Sequence, residues 1–252
     1  MHIILVGATG LAGSRILQEA TARSEVTRIS VLSRRPSAVQ SDAKVHTFLH
    51  QDFARYSDEL VEQVSTATAC IWALGVSSTA NVSPEEYSKV THDWPLAFAQ
   101  RLSQSTIDRP SPLSFAYLSA IDARSDEKGL LYQREKGRAE NDLIKLAISE
   151  NNCGRNLLSL LLRPGGIFST GSWLANRKPS FQEQYILQPL YRLLNRLVPS
   201  SVISTEALAK STLDLVLSDE IKMTQASSLI CSNTHLRRLS EGKVSVSALP
   251  WQ

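Results

Sequence analysis

Ile3-Ile4-Leu5-Val6-Gly7-Ala8-Thr9-Gly10-Leu11-Ala12-Gly13 decides how this chain folds. Four consecutive apolar residues suit a strand buried on both faces. The glycines suit a tight turn, and the residues from Leu11 to Arg23 then read as an amphipathic helix. Such a unit brings bare backbone, and the positive end of a helix, up to an anion, which is how a pyrophosphate is received. The glycines stand at i, i+3 and i+6, whereas the usual dinucleotide fingerprint has i, i+2 and i+5. The reading therefore rests on the position of the triplet between a strand and a helix. It makes Gly7, Thr9, Gly10, Leu11 and Gly13 the candidate phosphate-binding residues.

Outward from this unit the pattern repeats. Strands are predicted at 3–6, 28–32, 45–49, 69–73, 114–118, 157–162 and 227–231, with helices at 11–23, 58–65, 84–104, 132–149 and 205–217. Ser83 precedes Pro84 as a helix cap. The alternation gives an α/β fold with a doubly wound, mostly parallel sheet of the Rossmann type. The expectation is a single domain over residues 1–252 with a small C-terminal substrate-covering region. Residues 165–203 break the alternation, are rich in aromatics and leucine, and form the expected covering insertion.

With 252 residues and 42% apolar content, the chain is long enough to bury a large core. A net charge of +3, with the basic residues spread out, gives no reason to expect nucleic acid. Cys70, Cys153 and Cys231 form no disulfide framework, and the five histidines show no ligand spacing. No metal is expected. No apolar run reaches the ~20 residues of a membrane helix, so no integral membrane segment is expected. The apolar start lacks a basic n-region and reads as the first strand, which leads to the expectation of a cytoplasmic protein.

Ser33-Arg34-Arg35 follows the second strand, where a dinucleotide fold meets the adenosine ribose. A carboxylate there suits a 2′-hydroxyl and an arginine a 2′-phosphate, so NADP(H) is the expected cofactor. Asp52-Phe53 follows the third strand, where Asp52 reads equally as an adenine contact or as a turn residue. Ala73-Leu74-Gly75 ends the fourth strand with side chains small enough for close approach to the cofactor. Ser119 ends the fifth strand, and thirteen residues later Tyr132 and Lys136 stand four apart, on one face of a helix. A carbonyl that accepts hydride needs a proton on its oxygen. A phenol can give it, an adjacent ammonium makes the phenol more acidic, and a serine hydroxyl can hold the oxygen. Ser119, Tyr132 and Lys136 are the candidate catalytic residues.

With these motifs, the following Gly137-Arg138-Ala139-Glu140 and the stretch Leu162-Arg163-Pro164-Gly165-Gly166-Ile167-Phe168, the chain resembles the short-chain dehydrogenase/reductase superfamily over nearly its whole length. It looks most like the atypical branch that includes the NmrA-like regulators. The resemblance implies that Ser119, Tyr132 and Lys136 are the catalytic serine, tyrosine and lysine, and that Lys136 also holds the nicotinamide ribose. It implies that the Pro164-Gly165 backbone approaches the nicotinamide carboxamide. The family often uses a fourth-helix asparagine in a proton relay. The matching stretch Lys89-Val90-Thr91-His92-Asp93-Trp94 has none, which leaves His92 or Asp93 as substitutes or the relay absent.

Phe168, Trp173, Phe181, Tyr185 and Tyr191 form the expected apolar wall for a small, apolar or aromatic substrate, with plain core packing as the alternative. The amphipathic stretch 190–198 reads as a lid or dimer helix, a homodimer being the oligomer this implies, with a membrane-surface contact as the alternative. The leading expectation is an NADP-dependent oxidoreductase acting on a carbonyl or alcohol. The alternatives are a non-catalytic NADP-sensing regulator and an epimerase or isomerase that keeps its nucleotide bound.

Overall fold

The computed structural model describes residues 1–35, 42–77, 82–105, 112–126, 128–154, 157–170, 183–224 and 226–251. Its centre is a seven-stranded, all-parallel sheet made from β1 (His2–Val6), β2 (Arg28–Ser33), β3 (Val45–Leu49), β4 (Ala69–Trp72), β5 (Leu113–Leu118), β6 (Leu157–Arg163) and a last strand, Ser228–Ser232. The spatial order is β3-β2-β1-β4-β5-β6 and then that last strand. The direction of winding reverses between β1 and β4, and a crevice opens beyond their carboxyl ends, as in other doubly wound sheets.

Helices cover both faces, which is why β1, β4 and β5 are buried along their whole lengths. Alternate residues of β1 go to opposite layers. Ile3 and Leu5 pack with Ile16, Leu17 and Ala20 of α1 (Leu11–Ala22), while Ile4 and Val6 join Val64, Phe98 and Leu143 on the other side. The second layer contains α2 (Asp58–Val64), α3 (Pro84–Ser88), α4 (Trp94–Ser103) and α5 (Leu131–Asn152).

The single helix predicted over 84–104 is divided. Ser83 caps α3, its hydroxyl accepting from Glu86 N at 3.2 Å, but a π turn at Lys89–Asp93 separates α3 from α4. Pro95 is the cause. It has no N–H for the carbonyl of Thr91, four residues back, and its ring crowds that carbonyl. The backbone takes an extra residue, Trp94 N–H bonds Lys89 O, and the Tyr117 hydroxyl donates to Thr91 O at 2.7 Å. A buried phenol and a buried carbonyl thus satisfy each other.

The region expected to cover the substrate builds a separate two-stranded parallel sheet, β7 (Gly166–Phe168) with β8 (Val202–Ser204), and a helix, α6 (Gln188–Leu197). Beyond it come α7 (Thr205–Leu217), α8 (Asp219–Met223), the last strand of the large sheet (β9) and α9 (Asn233–Ser240). Arg15 of α1 fastens the region to the glycine turn by donating to Thr170 O at 3.1 Å and pairing with Glu206. No helix among the described residues is long and apolar enough to cross a membrane.

Candidate active site

The three glycines of the first turn have separate tasks. Gly7 has φ +90°, and a Cβ there would lie 2.5 Å from Leu74 N, so this position allows β1 and the end of β4 to meet. A Cβ on Gly13 would collide with the Gly7 carbonyl, so Gly13 lets α1 close onto the turn. Gly10 is different: a Cβ there would meet only Gly7 O, at 3.4 Å. No side chain caps the start of α1, which leaves amides of its first turn without a side-chain partner.

Next to this turn lies a cavity of about 140 Å³, lined by Gly7, Thr9, Leu32, Ser33, Arg34, Arg35, Phe53 and Leu74. Arg34 and Arg35 are exposed, and among the described residues neither is in an ion pair. Their turn is held from behind, Ser33 Oγ accepting from Arg35 N at 3.2 Å and Gln51 donating to Arg34 O at 3.1 Å. Asp52 accepts from Ala54 N at 3.0 Å, which makes it a turn residue. Phe53 is buried against Trp94, with ring centroids 5.5 Å apart. Such a lining is apolar on one side and cationic on the other.

The crevice continues from Gly7 and Leu74 to Gly75, where a Cβ would lie 3.9 Å from Lys136 Nζ. Lys136 Nζ donates to Leu118 O at 2.6 Å and lies 4.7 Å from the centroid of the Tyr117 ring. Burial pulls its pKa down to about 8, against the attraction of Glu140. Ser119 follows Leu118 directly. Its Oγ is buried and has no hydrogen-bond partner among the described residues. An unpartnered hydroxyl at the end of a central strand is costly to keep unless a ligand uses it.

Tyr132 differs from the expectation. Its hydroxyl donates to Asp122, not to a partner in the Lys136–Ser119 group, and the same carboxylate oxygen accepts from Gln133 Nε2 at 2.9 Å. The bond to Asp122 raises the phenol pKa to about 12, with burial adding to the effect. Lys136, expected to lower it, instead has its ammonium committed to Leu118 O and the face of Tyr117. His92 and Asp93 are also taken up elsewhere. His92 lies between Asp93, at 2.7 Å, and Asp142, at 2.9 Å.

Lys136→Met is expected to stabilise the fold. The folded-state pKa of about 8 lies below the reference value of 10.5, so the buried charge opposes folding. The cost is fully present below pH 8, fades as the pH rises from 8 towards 10.5 and is absent above that. At 1.36 kcal/mol per unit this amounts to about 3 kcal/mol, reduced by about 1 kcal/mol for the lost hydrogen bond. Calorimetry at pH 7 should show Tm higher by about 4–8 °C in a chain of this size. A lower Tm would contradict the burial of this charge.

The far wall is built by long-range contacts that the sequence did not reveal. Ile121 N donates to Pro164 O at 2.9 Å, which puts Pro164-Gly165 beside the end of β5. Asn233, 1% exposed, accepts from Gly165 N at 2.8 Å and donates to Ser200 O and Val202 O. Arg163 pairs with buried Glu140, its Nε 2.9 Å from Oε1, and so ties β6 to α5. Of the predicted substrate wall, Phe168 is buried and the Tyr191 ring covers Gly166, whereas Tyr185 is 61% exposed. Trp173 and Phe181 lie outside the described residues. α6 turns Gln188, Arg192 and Asn195 toward the body, while Leu193 and Leu197 are 53% and 69% exposed.

No family model matches the chain. It is similar to Leucinostatins biosynthesis cluster protein T of Purpureocillium lilacinum, 28% identical over 243 residues, which span 87% of this chain and 86% of that protein. Protein FMP52, mitochondrial, of Candida albicans is 26% identical over 170 residues, 66% of this chain and 67% of that protein. Among solved structures, a short chain dehydrogenase from Leptospira borgpetersenii with bound NAD+ superposes with a TM-score of 0.66 at 12% identity, over 93% of this chain and 92% of that one. UDP-glucuronic acid 4-epimerase from Bacillus cereus in complex with NAD gives 0.62 at 11% identity, over 92% and 77%. The expectation of a cytoplasmic protein does not stand, because FMP52 relatives are named mitochondrial. Cys70, Cys153 and Cys231 are unbridged and carry no information about which compartment holds the protein.

Proposed function

We propose that this chain, which has the fold of the short-chain dehydrogenase/reductase superfamily, is an NADP(H)-dependent oxidoreductase acting on a small carbonyl or alcohol with an apolar or aromatic body. One observation carries the reading. Gly7 of the glycine turn packs against Leu74, the next residue Gly75 comes close to the Lys136 ammonium, and Lys136 bonds the carbonyl of Leu118, the residue before the unpartnered Ser119 hydroxyl. The solved neighbours with this fold hold NAD in their crystals, which supports a nicotinamide dinucleotide here.

In this reading Gly7, Thr9, Gly10, Leu11 and Gly13 form the turn that holds the pyrophosphate at the start of α1, and Arg34 and Arg35 hold a 2′-phosphate. Ser33, Asp52, Phe53, Ala73, Leu74 and Gly75 shape the adenosine and ribose positions, and Pro164 and Gly165 the carboxamide end. Bound there, the cofactor supplies or accepts the hydride. Ser119 Oγ donates to the substrate oxygen and fixes its position. Lys136 holds positive charge beside the same crevice. Tyr132 gives a proton to the oxygen during reduction and removes it during oxidation. Phe168, buried at the end of β7, and Tyr191, whose ring lies over Gly166, flank the substrate.

Arg34→Ala with Arg35→Ala is expected to weaken NADPH binding by about ten- to a hundredfold and leave NADH nearly unchanged, because each lost charge-assisted contact is worth at most about 1.5–3 kcal/mol and these two are exposed. Equal effects on both cofactors, read by fluorescence titration, would remove the NADP assignment. NADPH oxidation followed against aromatic ketones, quinones and aldehydes tests the reaction itself. The second reading is a non-catalytic NADP sensor, and one observation favours it: the Tyr132 hydroxyl is already engaged by Asp122. Tight NADPH binding with no turnover across the panel would select it.

A further inference from the structure

The loop after β5 and the first turn of α5 form a braced unit around Tyr132. Asp122 Oδ2 accepts from Tyr132 Oη and from Gln133 Nε2. Gln133 is fixed as well: its Oε1 accepts from Leu130 N at 2.8 Å, and its carbonyl accepts from Arg124 N at 2.9 Å. Gly129, at φ +96°, brings its backbone against the Gln133 side chain, where a Cβ would collide. The phenol is thus aimed by contacts that have no other evident use.

The charges around it are otherwise occupied. From the loop, the Arg124 guanidinium is bound to Asp126 at 2.6 Å. From α5, Glu135 pairs with Arg138 at 3.0 Å and Lys136 donates to Leu118 O at 2.6 Å. From α3, Tyr87 is the titratable group on this side of Tyr132. Asp122 is the charged group that touches the phenol.

We propose that Asp122 is a positioning residue that holds Tyr132 as a protonated phenol on the loop, so that each turnover opens the Tyr132–Asp122 hydrogen bond. This inference rests on the proposed function for its link to turnover. In the reducing direction the Tyr132 O–H bond breaks and its proton passes to the alkoxide left after hydride arrives at carbon. The phenolate, now beside the Asp122 carboxylate, takes a proton from water, which restores the O–H bond. Repulsion between the two anions favours that last step.

The test uses Asp122→Asn, which keeps an acceptor and removes the charge, and Asp122→Ala, which removes both. The absorbance difference between each protein and its Tyr132→Phe counterpart isolates the phenolate of this one tyrosine. With Asp122 present the phenolate is expected not to appear below about pH 11, and in both variants it should appear near the ordinary value of about 10. The pH limb of kcat for alcohol oxidation should move down by the same one to two units, with KM changed less than twofold. A phenolate signal that stays in place in both variants would overturn the proposal, as would a kcat limb that stays while the phenolate moves. Full turnover in Tyr132→Phe would instead defeat the reaction assigned to the site, and the absorbance titration would still report whether Asp122 holds the phenol.

Discussion

Tyr132→Phe is expected to lower turnover by about 10²–10⁴-fold, the usual contribution of a general acid or base, while cofactor affinity stays within about twofold. The ring remains and only Oη is lost. Tyr132 is half-buried at the first turn of α5, and its hydroxyl has partners on the loop side, so removing it leaves the glycine turn and the Arg34–Arg35 cavity untouched. Asp122 loses one of two donors but keeps Gln133 Nε2, which limits the stability loss to about 1 kcal/mol. Kinetics and NADPH titration on the same preparation check both halves of the expectation. Loss of binding together with activity would mean that Tyr132 has a structural role.

Gly13→Ala is expected to remove cofactor binding by a route that involves no chemistry. The new methyl group would overlap the Gly7 carbonyl, so α1 must move away from the turn. Overpacking of this kind costs about 1–3 kcal/mol, which in a chain of this size lowers Tm by about 3–10 °C. The amides at the start of α1 move with the helix, and dinucleotide affinity should fall by more than about a hundredfold because pyrophosphate binding depends on their direction. Gly10→Ala is the control. Its Cβ meets only Gly7 O, at 3.4 Å, so Tm should hold while binding weakens because the methyl group enters the space left for phosphate. Scanning calorimetry with and without NADPH separates the two variants. Equal Tm values for both would contradict the separate tasks assigned to these glycines.

The sheet was legible because its strands are buried on both faces and therefore appear as unbroken apolar runs, as in Ile3–Val6 and Leu157–Leu162. Strand β3 was weaker in sequence and is the half-buried edge. The glycine turn was legible because its geometry excludes side chains. Asp122 was not, since neither its type nor its spacing marks it and only the fold of the loop brings it to Tyr132. Asn233 contacts Gly165 across 68 positions, a distance no local pattern spans. The helix α9 carries a readable signal in Ser232, which caps it while His235 returns the bond, in the reciprocal arrangement of a capping box. For α6 the period showed two faces but not which one would turn inward, because its polar side chains find backbone and side-chain partners on the body.

The π turn before α4 has a reach that its five residues do not suggest. Pro95 frees the Thr91 carbonyl, that carbonyl orients Tyr117, and the Tyr117 ring forms the floor beneath the Lys136 ammonium. A proline on one helix thereby helps to place the ring that lies beneath an amine on another, through one carbonyl. An ordinary residue at position 95 would restore an N–H for the Thr91 carbonyl, and the ring under the ammonium would then have to share its anchor.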